Sequence, residues 1–234
     1  MIKSFLLQVQ LGSQAAADTL AADMPTEETL NFFTLALKGG FVMIPLLILS
    51  VVAIYIFIER YLAISKASQE EYNFMNNIRD FIHEGRIDSA KSLCKNNHSP
   101  LARMISKGIT RIGRPLNDIN AAIENVGKLE VAKLEKNIAF LSTVAGAAPM
   151  IGFLGTVIGM VKAFYNMSMA GNNIDISLLA GGIYEAMITT ITGLIVGIIG
   201  YICYNILVSR IEKVIFMLEA RATEFMDLLH EPAS

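Results

Sequence analysis

Residues 138–161 read IAFLSTVAGAAPMIGFLGTVIGMV, a run in which no side chain is charged. At 1.5 Å per residue this run gives about 36 Å of helix, and crossing the hydrocarbon core of a bilayer takes about 20 residues. Residues 41–58 form a second uncharged run, and residues 178–209 form a third in which Glu185 is the one charged side chain. The pattern predicts three transmembrane helices, and a composition of 53% hydrophobic against 17% charged residues agrees with it.

The three runs divide the chain into seven segments. We predict an outer tail with a short amphipathic helix at 1–40, transmembrane helix 1 at 41–64, a cytoplasmic helical region at 65–137, transmembrane helix 2 at 138–166, an outer loop at 167–177, transmembrane helix 3 at 178–209 and a cytoplasmic C-terminal helix at 210–234. Apolar residues keep helical spacing before the second span and after the third. We therefore expect an all-α integral membrane protein whose second and third spans extend into the cytoplasm.

The basic residues predict how the chain is oriented. Of the 19 lysine and arginine residues, 13 lie between Arg60 and Lys136, and three more follow the third span. Cytoplasmic segments of membrane proteins carry an excess of these residues. We expect a multi-pass protein of the cell inner membrane, surrounded by lipid, with its N-terminus outside and its C-terminus in the cytoplasm.

Glu185 is the side chain that most needs an explanation, because a carboxylate inside an apolar span costs on the order of 3 kcal/mol. Thr189 lies one turn further along the same helix face, and Thr156 of the antiparallel second span is expected at a similar depth. These groups predict a polar path on which a carboxyl group takes up and releases protons. The alternative is a structural glutamate that is paired with a cation or reaches the membrane surface. We favour the proton path because neither neighbouring uncharged run contains a lysine or arginine.

Glycines recur in the second and third spans at spacings that let helix backbones approach closely. The candidate packing positions are Gly152, Gly155, Gly159, Gly193, Gly197 and Gly200. We expect these faces to hold a ring-shaped homo-oligomer.

Patterns that would indicate other chemistry are missing from the sequence. The three histidines are scattered through polar segments without a second ligand at metal spacing, and the glycine-rich stretch of the second span lacks the lysine of a nucleotide-binding loop. We expect no metal, no cofactor, no enzymatic activity and no nucleic-acid partner. The energy for any work must come from an ion gradient or from another subunit.

Two motifs resemble those of a known family. Residues 146–160, GAAPMIGFLGTVIGM, resemble the second-span signature of the MotA/TolQ/ExbB proton-channel family. Residues 181–187, GGIYEAM, followed by Thr190 and Gly193, resemble its third-span signature. The three-span plan with a glutamate in the third span is similar to the ExbB and TolQ branch, and the long N-terminal tail favours ExbB.

The resemblance implies roles for individual residues. Glu185 matches the channel glutamate, Thr156 the second-span threonine and Thr190 the third-span threonine, although Thr189 lies closer to the Glu185 face. It also implies a pentamer around the helices of a single-span ExbD- or TolR-like partner, which drives a TonB-like energy-transducing protein. A TolQ-like motor for envelope maintenance, a non-conducting membrane scaffold and a small solute transporter are the alternatives. The lack of an internal repeat disfavours the transporter.

Overall fold

The computed structural model describes residues 39–69, 73–169 and 176–230, with the backbone alone for 176–178. Within these ranges the regular elements are α-helices: α1 (Met43–Ala67), α2 (Phe74–His83), α3 (Ile87–Asn96), α4 (Pro100–Ile109), α5 (Leu116–Glu135), α6 (Ile138–Met169) and α7 (Ile176–His230). The predicted outer amphipathic helix and residues 170–175 of the predicted outer loop lie outside the described residues.

Three helical stretches are long and apolar enough to cross a membrane. They are α1, the stretch Leu116–Met169 that includes α5 and α6, and Leu179–His230 of α7. Many of their large apolar side chains are exposed, among them Val51, Phe153 and Ile198. Such side chains can stay exposed on a helix that is surrounded by lipid, because lipid tails are apolar as well. The prediction of an all-α protein with three membrane-spanning helices is confirmed.

The chain breaks its helix just before the second span. We expected the cytoplasmic helix and the second span to be continuous, but α5 ends at Glu135 and α6 begins at Ile138. Asn137 has a φ of 64°, the left-handed conformation that asparagine tolerates better than most residues. By contrast α7 continues unbroken for 55 residues.

α6 and α7 form the most extensive helix pair among the described residues, and α1 packs against both. Small residues make this possible, because glycine lets two backbones approach as closely as van der Waals radii allow. At the far end of the pair, Leu141, Val144 and Leu207 are fully buried. The result is a narrow two-helix seam that is lined by glycine at one end and by branched apolar side chains at the other.

A second core joins α2–α5 to residues 210–230 of α7. Its buried side chains include Ile78, Ile105, Ile123 and Phe225. A Cβ atom on Gly108 would lie 2.7 Å from the Phe225 ring and 2.8 Å from the Ile123 side chain, so the α4 backbone closes directly onto both. This core fixes the long α7 helix against the helical region between the first two spans.

Polar contacts fix the end of α1 near Arg60. The Arg60 guanidinium is buried and donates a hydrogen bond from Nη1 to the carbonyl oxygen of Lys133 in α5, at 3.1 Å. One residue further, the Tyr61 hydroxyl accepts a hydrogen bond from Arg210 of α7 at 2.7 Å, and the guanidinium lies over the tyrosine ring. Through these residues α1 contacts both helices that lead out of the other two spans.

Candidate functional site

Glu185 lies on α7 between two other elements. One carboxylate oxygen, Oε2, is 3.0 Å from the ammonium nitrogen of Lys162 on α6. The other, Oε1, lies against Gly40, where a Cβ atom would collide with it. Gly40 has a φ of 67° and precedes α1, so its backbone conformation and its lack of a side chain both suit this position. Glu185 therefore lies where the start of α1 meets α6 and α7.

Lys162 is the residue that sequence reasoning missed. It was excluded as a partner because it lies just beyond the uncharged run at 138–161, but α6 continues to Met169 and carries Lys162 to the level of Glu185. The antiparallel register gives the reason, since Gly159 lies against Ala186 and Ala163 lies against Gly182. In the sequence the two charges lie at unequal distances from the predicted outer loop at 167–177, so counting from the loop does not align them.

The exposure of the two partners differs. The Glu185 side chain is 25% exposed and the Lys162 side chain is 59% exposed. The carboxylate is thus enclosed on most sides, while the lysine stem reaches it from the outside of the helix pair. The pair thus joins a largely enclosed carboxylate on α7 to a more exposed ammonium group on α6.

The three candidate threonines lie one or more turns from Glu185, toward the end of α7 that carries Arg210. Thr189 is buried against Gly155, and its hydroxyl donates to the Ala186 carbonyl oxygen at 2.8 Å. The Thr190 hydroxyl donates across the helix interface to the Gly152 carbonyl oxygen at 3.1 Å. Both side chains therefore face α6.

Thr156 lies at the level of Thr189 and not at the level of Glu185. Its hydroxyl donates to the carbonyl oxygen of Phe153 in its own helix, at 2.5 Å. Because Gly155 opposes Thr189, the register places Thr156 about one turn, or about 6 Å, from the level of Glu185. The similar depth that we expected for Thr156 and Glu185 is therefore off by one turn.

The candidate packing glycines lie between α6 and α7 of the same chain. A Cβ atom on Gly152 would lie 3.1 Å from the Gly193 Cα atom, and one on Gly159 would lie 2.8 Å from the Ala186 Cβ atom. Gly155 contacts Thr189, Gly197 contacts Pro149, and Gly200 makes only ordinary contacts, the nearest at 3.4 Å. We expected these faces to hold the oligomer. In the structure these glycines bring two helices of one chain together, and their role in an oligomer stays a prediction.

Two buried groups outside the spans, Glu130 and Cys94, have shifted pKa values. Burial raises the pKa of Glu130, but hydrogen bonds from Arg103 at 2.5 Å and Lys133 at 2.7 Å outweigh it and hold the pKa below its ordinary value of 4.5. Burial raises the pKa of the Cys94 thiol to about 12. Glu130 is thus a fixed charge that ties α4 to α5, and Cys94 is an unreactive core residue.

The described residues contain no group of three or more His, Cys, Asp or Glu that could hold a metal ion. The pair of Lys162 and Glu185, with the threonines near it, is the candidate site in the described spans. Their positions fall within a stretch that a family comparison identifies.

The sequence model of the MotA/TolQ/ExbB proton channel family matches residues 96–220. The chain belongs to this family. The matched stretch runs from the end of α3 to residue 220 of α7, so it contains Lys162, Glu185 and all three threonines.

Named relatives in the MotA/TolQ/ExbB family come from two branches. The ExbB-like 1 biopolymer transport protein of Synechocystis sp. is 29% identical over 74% of this chain and 69% of its own length. The biopolymer transport protein ExbB of Aquifex aeolicus is 34% identical over 47% of this chain and 74% of its own length. The Tol-Pal system protein TolQ of Pseudomonas aeruginosa is 33% identical over 50% of this chain and 53% of its own length.

Proposed function

We propose that this chain is the proton-channel subunit of an ExbB-like inner-membrane motor, which uses the proton gradient to energise TonB-dependent transport across the outer membrane. The observation that carries the proposal is Glu185, a carboxylate in an apolar helix that pairs with Lys162 and lies within the family match. A membrane-embedded ionisable residue that is enclosed by protein is typical of ion pathways and proton relays. The mechanism is proton uptake and release at Glu185, with Thr156, Thr189 and Thr190 along the same helix pair.

The competing function is a non-conducting scaffold. The glycine contacts between α6 and α7 would suit it, and a salt bridge between Glu185 and Lys162 could be purely structural. Apolar side chains of similar volume would serve a scaffold as well, because desolvating two charges offsets much of what an ion pair contributes. The presence of a titratable pair in a glycine-rich helix interface therefore favours proton transfer.

A homo-oligomer, for which we propose a pentamer, is the working form. Exposed apolar side chains outside the spans support it, since Phe216 is 75% exposed and Leu129 is 63% exposed. Neither residue lies in a stretch that we assign to lipid, so each apolar side chain is available for a contact with another subunit. The oligomer would surround the helices of an ExbD- or TolR-like partner and drive a TonB-like protein, as the resemblance implies.

For the orientation we propose an outer N-terminus and a cytoplasmic C-terminus. Arg60 and Arg210 lie at the same end of the helix bundle, where Tyr61 joins them, and they open the two basic segments. The positive-inside bias then assigns this end to the cytoplasm. Glu185 and Gly40 lie at the opposite, outer end.

Which motor the chain serves is decided by its partner. A TolQ-like role in envelope maintenance is the second candidate, and the TolQ of Pseudomonas aeruginosa, at 33% identity, is the observation in its favour. Co-purification followed by mass spectrometry identifies the single-span partner. Recovery of a TonB-like chain supports the first proposal, and recovery of a TolA-like chain supports the second.

Glu185→Gln tests the function directly. The amide keeps the shape and hydrogen-bonding capacity of the side chain but cannot take up and release a proton in the working pH range. We expect proton flux in reconstituted vesicles to be lost while the complex is recovered in normal yield. Glu212→Gln is the matched control, because Glu212 is an exposed carboxylate on α7 beyond the span and its loss should leave flux unchanged.

The scaffold and the channel give opposite results in this experiment. An intact complex without flux in Glu185→Gln rejects the scaffold. Flux at the wild-type level in Glu185→Gln removes Glu185 from the proton path and rejects the proposal.

A further inference from the structure

We infer that Lys162 is a positioning residue which holds Glu185 as a carboxylate between proton transfers, so that each proton taken up by Glu185 releases the lysine side chain. The inference rests on the proposed function, because it assigns the resting charge state of the same carboxyl group. It adds Lys162 to the proton path, for which the sequence alone predicts only a glutamate and threonines.

The geometry supports a direct charge pair. Lys162 Nζ lies 3.0 Å from Glu185 Oε2, within hydrogen-bonding distance, and Gly40 lies against Oε1. Each carboxylate oxygen therefore has a close neighbour, a cation for Oε2 and the backbone that leads into α1 for Oε1.

The surroundings determine how charge and proton are linked. A lone carboxylate is disfavoured in an apolar span. When it is paired with an ammonium group, the two groups together carry no net charge. When Glu185 is protonated the attraction between the pair disappears, and the ammonium group is left unpaired. Proton uptake therefore favours separation of the two side chains.

The Lys162 side chain has space to move away from Glu185 toward the end of α6. It is 59% exposed, against 25% for the glutamate, and it lies seven residues before the end of α6 at Met169. A lysine stem can lie along apolar surface while its ammonium group reaches the polar boundary of the membrane. The glutamate is held in place, so the displacement on protonation falls on Lys162.

Chemical labelling of Glu185 tests the inference. A hydrophobic carbodiimide adds to a protonated carboxyl group and leaves an acylurea that mass spectrometry detects. The labelling rate at Glu185 is measured at neutral pH on the full-length assembled complex. The variants are Lys162→Met, which removes the charge at similar length, and Lys162→Arg, which keeps the charge. Lys128→Met is the matched control, because Lys128 forms an exposed ion pair with Glu124 far from this site.

We expect Glu185 to be labelled about fivefold faster in Lys162→Met than in wild type, because the variant lacks the ammonium group that pairs with the carboxylate. Lys162→Arg and Lys128→Met should label at the wild-type rate. Proton flux should fall in Lys162→Met and be retained in Lys162→Arg, a rescue that packing alone does not predict. The inference would be overturned if Glu185 were labelled at the same rate in Lys162→Met and wild type. It would also be overturned if Lys162→Arg were labelled faster than wild type, as Lys162→Met is.

Poor assembly of Lys162→Met also has a decisive follow-up. If the variant fails because it leaves a lone carboxylate, adding Glu185→Gln should restore assembly. Restored assembly supports the ion pair, and continued failure counts against it.

The inference about Lys162 and the proposed function can be rejected separately. Unchanged labelling in Lys162→Met together with lost flux in Glu185→Gln rejects only the role of Lys162, and normal flux in Glu185→Gln rejects the proton path itself.

Discussion

The Thr190 hydroxyl of α7 donates a hydrogen bond to the carbonyl oxygen of Gly152 in α6, 3.1 Å away. A carbonyl oxygen inside a helix is normally satisfied by its own helix, so this bond uses its second lone pair to join two helices. Gly152 permits it, because the backbones of the two helices touch at this level. Thr190, which the resemblance assigns to the proton path, thus also fixes the register of the helix pair that carries the path.

Replacing Thr190 with valine should remove the interhelical bond at nearly constant shape. We expect a loss of about 0.6 to 1.7 kcal/mol in stability, which are the average and the largest values for hydrogen bonds between membrane helices, and a partial loss of proton flux. Thr192→Val is the control, since the Thr192 hydroxyl bonds only within α7, to the Ile188 carbonyl oxygen at 2.9 Å. Thermal unfolding in detergent measures both, and equal stability of the two variants would contradict the bridging role.

Gly152→Ala and Gly200→Ala test the glycine seam with the same substitution. A Cβ atom on Gly152 would lie within 3.0 to 3.2 Å of α7 backbone atoms, so the helices must move apart. On Gly200 the nearest atom is at 3.4 Å, an ordinary contact, and the gain of about 0.5 to 1 kcal/mol from replacing glycine in a helix should remain. We expect a lower unfolding temperature in the first variant and an unchanged or higher one in the second. A higher unfolding temperature in Gly152→Ala than in Gly200→Ala would contradict the structure.

The sequence was sufficient for the parts of the fold that depend on composition along the chain. Long uncharged runs predicted the three membrane helices, because an apolar segment that crosses lipid has to satisfy its own backbone hydrogen bonds and does so as a helix. Glycine spacing marked a close helix interface, but it could not say whether both helices belong to one subunit. That distinction depends on which helices are adjacent, and here Gly193 lies against Gly152 of its own chain.

The main feature of the site that escaped prediction is the pair of Lys162 and Glu185. Their contact joins residues 23 positions apart through a loop, so it depends on the register of two antiparallel helices. No local pattern encodes that register. The break at Asn137 escaped for a related reason, because periodicity continues across it and only the backbone conformation shows it.

Glu130 should make stability depend on acidity. Its pKa is lower in the folded protein than in the unfolded chain, so the unfolded chain binds more protons as the pH falls. The stabilisation by Arg103 and Lys133 is therefore full above the unfolded-state pKa and is lost as the pH falls through the lower folded-state value. We expect Glu130→Gln to cost about 1 to 3 kcal/mol near neutral pH and to lose less stability than wild type between about pH 5 and about pH 3.

The control for Glu130 is Glu124→Gln, which removes a carboxylate from an exposed pair with Lys128. Such pairs contribute little, so this variant should follow the wild-type curve. Chemical unfolding at several pH values provides the measurement. An identical pH dependence in Glu130→Gln and wild type would show that the buried carboxylate does not link folding to protonation.

Phe216 is expected to lie at a subunit contact. Introducing a charge with Phe216→Asp should dissociate the oligomer, because a carboxylate buried between subunits has no partner. Ser92→Asp adds the same charge at an exposed position of α3 and should leave the oligomer intact. Native mass spectrometry measures the subunit number, and circular dichroism checks that the helices persist. A Phe216→Asp oligomer of wild-type size would place the subunit contact elsewhere.

Orientation is tested by cysteine labelling with a membrane-impermeant maleimide in spheroplasts, in a background that carries Cys94→Ala and Cys203→Ala. Ser92 is exposed on α3 and Ser168 is exposed near the end of α6, so a cysteine at either position is accessible once the correct side is reached. We expect Ser168→Cys to label in intact spheroplasts and Ser92→Cys to label only after permeabilisation. A separate sample of the wild-type protein keeps Cys94, and burial raises the pKa of this thiol to about 12, so Cys94 should stay unlabelled when that protein is permeabilised but folded. Labelling of Ser92→Cys without permeabilisation, together with protection of Ser168→Cys, would reverse the orientation and place Glu185 near the cytoplasmic end of its helix.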